Sequence, residues 1–267
     1  MKLGLLSLLA VAVAMLGGTV LGTSARAQSA DFQTTITSDY PKHLTFKLEA
    51  TAPGEVTDVS LDYRIVGKGI SGLGKPETIS GGTAVAVEVV VDTNTGNSYI
   101  PPASEFEYTW VLTLADGSSV SSEPANYVYL PPDHDWQSVE NDIVRVYYDG
   151  DRESIAQEYL NAGLATYQSM ARDLFGIELE LLPVKVILFD DESELEIARP
   201  GTPGALDAAV INCGVKVTSD IVFVIHQSCG TADRTDTFRH EFTHIINEAA
   251  GEGPLGKLPS WLDEARH

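Results

Sequence analysis

The feature that most constrains how this chain can fold is the H-E-F-T-H segment at residues 240–244. Its two histidines are four positions apart, and such positions share one face of an α-helix, so His240 and His244 could both bind one zinc ion. Glu241 lies beside the first histidine, where its carboxylate can take a proton from a water molecule that the metal activates. The segment therefore predicts a helix that carries a zinc site and a general base.

The flanking sequence favours this helix. Apolar residues recur at helical spacing on one stripe, at Phe238, Phe242, Ile245 and Ala249. Candidate N-cap residues lie upstream between positions 231 and 235, and a glycine at 251 and a proline at 254 end the pattern. The alternative is an ordinary helix with two surface histidines.

A zinc site of this kind needs a third protein ligand, and the segment L-P-S-W-L-D-E at residues 258–264 offers two acids. Ser260 followed three positions later by Asp263 matches a capping box, which engages Asp263 with the free amides at a helix start. Glu264 is about 100° further round that helix and is left to face the metal. We therefore expect Glu264 to be the third ligand, and a solvated helix acid is the alternative.

The two motifs together, H-E-x-x-H and then P-x-W-L-x-E about twenty residues later, resemble those of the gluzincins, the zinc metallohydrolases of peptidase clan MA. The resemblance covers residues 133–267. It implies that His240, His244 and Glu264 bind zinc and that Glu241 is the general base.

The resemblance also implies a place for the substrate. Gluzincins bind an extended substrate along the edge strand before the metal helix, which here would be residues 221–225, and His226 is left out of the site. The chain departs from the family at Ala265, where the family has glycine, and it ends three residues after Glu264, where the family continues. We therefore expect the chain to be a truncated form of a longer protein.

The N-terminus has the features of a secretory signal peptide. Lys2 precedes an uncharged run rich in Leu and Ala, and Ala25-Arg26-Ala27 offers a cleavage site between small residues. We expect cleavage after Ala27, which leaves a mature protein that is secreted or otherwise extracytoplasmic. An uncleaved membrane anchor is the alternative. No later stretch is long and apolar enough to span a bilayer, so no membrane insertion is expected after cleavage.

The charge of the chain bears on its partners. The formal net charge is −21 at pH 7. A surface so negative repels phosphate backbones, so no nucleic-acid binding is expected. Acidity alone does not name a substrate.

Cys213 and Cys229 are sixteen positions apart, on either side of a strand-like run. In an exported chain we expect them to form one disulfide, which closes a loop worth about 3 kcal/mol in the chain-entropy model. Two free buried thiols are the alternative. Neither cysteine falls in a metal-ligand pattern.

Residues 28–132 have the pattern of an all-β domain. β-Branched and aromatic runs are separated by Pro-Gly, Asn-Thr-Gly-Asn and Asp-Gly turns; the runs are residues 45–50, 56–65, 84–91, 106–114 and 120–129. Several short strands over about a hundred residues predict an immunoglobulin-like or fibronectin-like sandwich, with Trp110 in its core. Two prolines at 131 and 132 mark its end.

Residues 133–267 predict an α+β domain, which by resemblance is a gluzincin-like zinc peptidase domain, incomplete at its C-terminus. Strands are expected at 143–148, 184–190 and 221–225 and near Val210, with a long helix at 152–175. The predicted fold class is thus two domains after a signal peptide at 1–27: an all-β sandwich and then the peptidase domain.

The function expected from these features is that of a secreted zinc metallopeptidase acting on a peptide or protein substrate. Zinc held by His240, His244 and Glu264 would keep one position for water, and Glu241 would pass a proton from that water to the leaving amine. Two alternatives stay open. One is an inactive peptidase-like surface binding protein, and the other is a non-peptidase zinc hydrolase on the same scaffold.

Overall fold

The structure is a computed structural model that describes residues 30–96, 98–199, 213–227 and 233–251. Of these residues, 46% lie in strands and 23% in helices, and the strands form two sheets. The predicted signal peptide, the predicted strand near Val210 and the predicted ligand Glu264 lie outside the described residues.

The first sheet contains seven strands in the described part of the chain, and all of its pairings are antiparallel. The strands are β1 (Asp31–Asp39), β2 (His43–Ile65), β3 (Ile70–Gly74), β4 (Gly82–Asp92), β5 (Glu105–Leu114), β6 (Ser119–Ser121) and β7 (Ala125–Val128). Alternate residues of β4 and β5 are buried, as a period-2 pattern requires. Trp110 is fully buried, as predicted, and its Nε1 donates to Thr34 Oγ1 at 3.0 Å.

Strand β2 connects the whole first sheet. It is 23 residues long; its first half pairs with β1 and β4 and its second half with β3 and β5. The Pro53-Gly54 pair, expected to form a turn between two strands, lies inside β2, where the register to β4 shifts between Thr51 and Val56. Proline has no N–H to donate, and an irregularity in the ladder is where a strand tolerates it. The seven strands therefore form one connected sheet.

The second sheet has five strands in the order β11-β12-β10-β9-β8. These are β8 (Trp136–Glu140), β9 (Val144–Asp149), β10 (Val184–Phe189), β11 (Gly214–Thr218) and β12 (Ile221–Ile225). Strands β12, β10 and β9 are parallel to one another, whereas β11 and β8 are antiparallel edges. Every residue of β10 and β12 is buried, which explains why β12 is entirely apolar and why β10 is apolar except for Lys185.

Three α-helices accompany this sheet in the described residues: α1 (Glu153–Thr166), α2 (Glu192–Ala198) and α3 (Asp236–Gly251). Helix α1 continues as a π-helical segment, Tyr167–Phe175, which ends at Gly176 with a left-handed φ of 65°. Asp191 caps α2 by accepting a hydrogen bond from the Glu194 N–H at 3.1 Å. None of the helices in the described ranges has the length and apolar character needed to cross a membrane.

The second sheet is covered on both faces. Helices α1 and α3 pack on one face, where their apolar residues meet Val146, Val186 and Val222. Helix α2 covers the other face together with Val128, the last residue of β7, and Ala103, in the connection between β4 and β5. The first sheet therefore contributes to the core of the second.

The predicted fold class, a β-sandwich followed by a gluzincin-like α+β peptidase domain, is wrong. The described chain is mostly β and contains two sheets, the first of which is one connected sheet rather than two. Its residues also share a buried core with the second sheet, so a separate all-β domain is not distinguished. Among the described residues, no group of three or more His, Cys, Asp or Glu side chains could hold a metal ion, so none supports a zinc peptidase domain. The boundary at residue 132 stays a prediction.

Candidate metal centre

Helix α3 is positioned by its apolar stripe. Phe238, Phe242 and Ile245 are buried against α1 and the sheet, as their spacing predicts. The Phe238 and Phe242 rings stack at 5.6 Å between centroids, and Phe238 also meets Tyr159 of α1 at 5.9 Å. Burial of this stripe sets the rotation of α3 and hence the direction of its histidines.

His240 and His244 converge at their Nε2 atoms, which lie 3.1 Å apart. The two rings are 4.7 Å apart between centroids and nearly perpendicular, at 87°. Two nitrogens bound to one tetrahedral zinc ion at about 2.0–2.1 Å would lie about 3.3 Å apart. This spacing is the length of a hydrogen bond between the two rings, and it is also close to that of two ligands of one zinc ion.

Glu241 is held by the neighbouring strand. Its Oε2 accepts a hydrogen bond from the backbone N–H of Lys216 at 2.7 Å. Lys216 lies in β11, and its ammonium group contacts Glu248 of α3 at 2.6 Å. Lys216 thus binds two acids of α3, Glu241 and Glu248. They are seven positions apart and therefore lie on nearly the same side of the helix.

A glycine allows this close approach of β11 and α3. A Cβ atom at Gly214 would lie 2.6 Å from Cγ2 of Thr237 and 3.0 Å from the backbone oxygen of Phe223. Both distances are too short for an ordinary carbon contact. The absence of a side chain at Gly214 therefore brings β11 near enough for Lys216 to reach Glu241.

The edge strand beside α3 is β11, not the predicted residues 221–225. Those residues form β12, which pairs with β11 on one side and β10 on the other. Strand β11 was missed from the sequence, although Val215 and Val217 alternate with Lys216 and Thr218. That period-2 alternation is the signal that could have identified it.

Two sequence predictions about the centre involve residues outside the described ranges. The third ligand Glu264 is one of them. Among the described residues, no three His, Cys, Asp or Glu side chains form a group that could hold a metal ion. The other is the disulfide: Cys213 precedes β11, but Cys229 is not described, and the pairing stays a prediction.

A second group of titratable side chains lies at the carboxyl ends of the parallel strands. Asp149 ends β9 and contacts His134 Nδ1 at 3.2 Å, while His134 Nε2 lies 3.6 Å from Glu194. Burial by itself raises the pKa of Asp149. Hydrogen bonds from His134 and from the Asp135 amide outweigh it, and the pKa is lowered from its ordinary value.

Asp190 and His226 belong to the same group, at the ends of β10 and β12. Arg152 Nη2 donates to Asp190 Oδ2 at 2.9 Å, and His226 Nε2 lies 3.7 Å from Asp190 Oδ1. Burial, and then the charge of Arg152, lower the pKa of His226. These side chains bind one another, so we assign them a structural role and keep His226 outside the metal centre.

Comparisons with known proteins add little to this geometry. No family model and no curated protein matches the chain. Among solved structures, it is similar to the purple acid phosphatase PPD1 from yellow lupin (Lupinus luteus) seeds, with 11% identity and a TM-score of 0.29 over 60% of this chain and 29% of that one.

It is also similar to a GH20 exo-β-N-acetylglucosaminidase from Vibrio harveyi, with 12% identity and a TM-score of 0.19 over 82% of this chain and 36% of that one. The chain thus spans 29% and 36% of the lengths of these two proteins. Likenesses this weak carry no argument about function.

Proposed function

We propose that this chain is a zinc-dependent hydrolase that cleaves peptide bonds, with His240 and His244 as zinc ligands and Glu241 as general base. The observation that carries the proposal is the 3.1 Å separation of the two Nε2 atoms on the helix that also bears Glu241. The gluzincin-like motifs support Glu264 as the third ligand. The signal-like N-terminus supports action outside the cytoplasm.

In this proposal the metal ion activates water and Glu241 transfers its proton. Zinc, when bound, would act as a Lewis acid and lower the pKa of water. The Glu241 carboxylate would take a proton from the water molecule as the water oxygen attacks the scissile carbonyl carbon. When the carbon–nitrogen bond breaks, Glu241 would give this proton to the leaving amine. The products are a carboxylic acid and an amine.

The contact with β11 supports this role for Glu241. The Lys216 N–H engages Oε2 at 2.7 Å, so we assign the proton transfer to Oε1. A carboxylate held before the reaction needs no reorganisation during it, which is how preorganised groups lower a barrier.

The test uses residues 28–267 purified with zinc. Zinc content is measured first, and cleavage of a peptide library is then compared with hydrolysis of ester and glycan substrates, before and after metal removal by a chelator. About one zinc per chain and chelator-sensitive peptide cleavage, restored by added zinc, are expected. Zinc binding with only ester or glycan hydrolysis would favour a non-peptidase hydrolase, and a chain that binds no zinc would favour a binding protein.

A further inference from the structure

The turn between β2 and β3 of the first sheet reaches the turn between β11 and β12 of the second. Lys68 lies at its tip, and its ammonium group donates to Thr218 Oγ1 at 3.0 Å and to Asp220 Oδ1. The Lys68 side chain is 14% exposed and that of Asp220 is 3% exposed. An ion pair so well removed from water is held in one geometry, unlike the exposed pairs on the surface of the first sheet.

The turn that carries Lys68 has a defined shape. Gly67 and Gly69, on either side of it, have left-handed φ values of 75° and 61°. Side chains other than glycine rarely adopt this conformation. In addition, a Cβ atom at Gly67 would come within 3.0 Å of Leu181 in the segment before β10. The backbone is therefore shaped to present Lys68 to the second sheet.

Both carboxylate oxygens of Asp220 accept hydrogen bonds. Its Oδ2 lies 3.1 Å from Lys185 Nζ of β10, and Thr218 Oγ1 donates to its Oδ1 at 2.8 Å. Burial by itself raises the pKa of Asp220, but Lys185 and Lys68 outweigh it and lower the pKa from its ordinary value. The carboxylate is thus charged at neutral pH and binds both lysines.

The β11–β12 turn leads directly to the candidate general base. Thr218 is two residues after Lys216, whose N–H binds Glu241. Between Lys216 and Thr218 the register with β12 shifts. Because β11 is an edge strand paired only with β12 in the described sheet, the ladder alone constrains this end weakly.

We infer that Lys68 is a positioning residue for Glu241: by binding Asp220 and Thr218, the first sheet fixes the end of β11 and so the amide that orients the base. The inference rests on the proposed function and gives the first sheet a part in it. Lys68 itself does not touch the reacting atoms.

Hydrogen exchange of backbone amides tests the coupling without any assay of activity. In Lys68→Met, Asp220 keeps Lys185, so the fold should persist, and exchange in Gly214–Thr218 should rise about tenfold, as for the loss of a charged hydrogen bond. Exchange at residues 186–189 of β10 should not change; Lys185 is left out of this control because its amide donates to the Asp220 carbonyl. Lys68→Gln, which keeps a donor, should show a smaller rise. The control is Lys75→Met, which removes an exposed ion pair with Asp58 of the same sheet and should leave β11 unchanged.

The result that overturns the inference is exchange in Gly214–Thr218 that is the same in Lys68→Met and in the parent, or that rises equally throughout the second sheet. Hydrolysis gives the second readout. Lys68→Met should lower kcat between about ten- and a hundredfold with zinc content and KM unchanged, since a displaced catalytic group costs rate rather than binding. An unchanged kcat would also overturn it. A parent protein without zinc or hydrolysis refutes the proposed function instead, and the exchange comparison still decides whether Lys68 holds β11.

Discussion

Glu241 and Lys216 are joined by a hydrogen bond of 2.7 Å, from the backbone N–H of Lys216 to Oε2 of Glu241. This bond connects the helix that carries the candidate zinc ligands to the edge strand of the second sheet. It means that the direction of the carboxylate depends on the position of β11, and not on α3 alone.

The first prediction concerns the base itself. Glu241→Gln should keep zinc but lower peptide hydrolysis by about a hundredfold or more, because the amide preserves the shape and cannot accept a proton from water. Its oxygen can still accept from Lys216, so β11 should stay in place. Zinc content and kcat are measured side by side. Glu192→Gln, an exposed acid on α2, is the control. Hydrolysis at the parent rate by the zinc-loaded variant would remove Glu241 from this role.

The second prediction concerns the histidines. His240→Ala and His244→Ala should each abolish stoichiometric zinc binding, because each removes one of three proposed ligands. Elemental analysis of the purified variants measures this. His43→Ala changes a half-buried histidine that contacts Asp92 at 3.1 Å in the first sheet, and it should retain zinc. Full zinc content in both α3 variants would refute the site.

The third prediction separates the two acids of the last segment. Glu264→Gln should weaken zinc binding, whereas Asp263→Asn should leave zinc affinity near the parent value and lower stability only slightly, as for a helix cap. Competition with a chelator gives the affinities. The reverse order of effects would make Asp263 the ligand.

The fourth prediction concerns Gly214. Gly214→Ala should lower the free energy of unfolding by about 1–3 kcal/mol, because the added Cβ overlaps Thr237 and the Phe223 backbone, and overpacking is costly. Thr237→Ser removes the nearer of the two atoms, so the double variant should recover part of the loss. Urea unfolding of the four proteins measures both effects. A Gly214→Ala protein as stable as the parent would show that β11 can move away from α3 at little cost.

The fifth prediction concerns Asp220 and pH. Its folded pKa is lowered, so its contribution to stability is present above the ordinary carboxyl pKa of about 4 and is lost as the pH falls through the folded value. Asp220→Asn should cost about 3 kcal/mol at neutral pH, since it removes the nearer carboxylate partner of the buried Lys185 and leaves it only Glu105, at 3.9 Å. The difference between parent and variant should shrink in acid. A difference that is constant from pH 7 to about pH 3 would contradict this assignment.

The sequence by itself determined the local elements of this protein. The stripe of Phe238, Phe242 and Ile245 was sufficient to predict α3, because a 3.6-residue period of apolar side chains can be buried only by a helix. The same spacing placed His240 and His244 on one face, and their Nε2 atoms meet there. Trp110 was likewise predicted as core from its strand pattern.

Tertiary structure decided how these elements join. A Pro-Gly pair usually marks a turn, but Pro53 and Gly54 lie within one continuous strand. The reason is that β2 pairs mainly with β4 before them and with β5 after them. No local pattern indicates that Lys216 binds Glu241 or that Lys68 reaches Asp220, 152 positions away. Such contacts depend on which surfaces the folded chain brings together. Spacing along the sequence determines which residues share a face, whereas the packing of distant segments determines what each face meets.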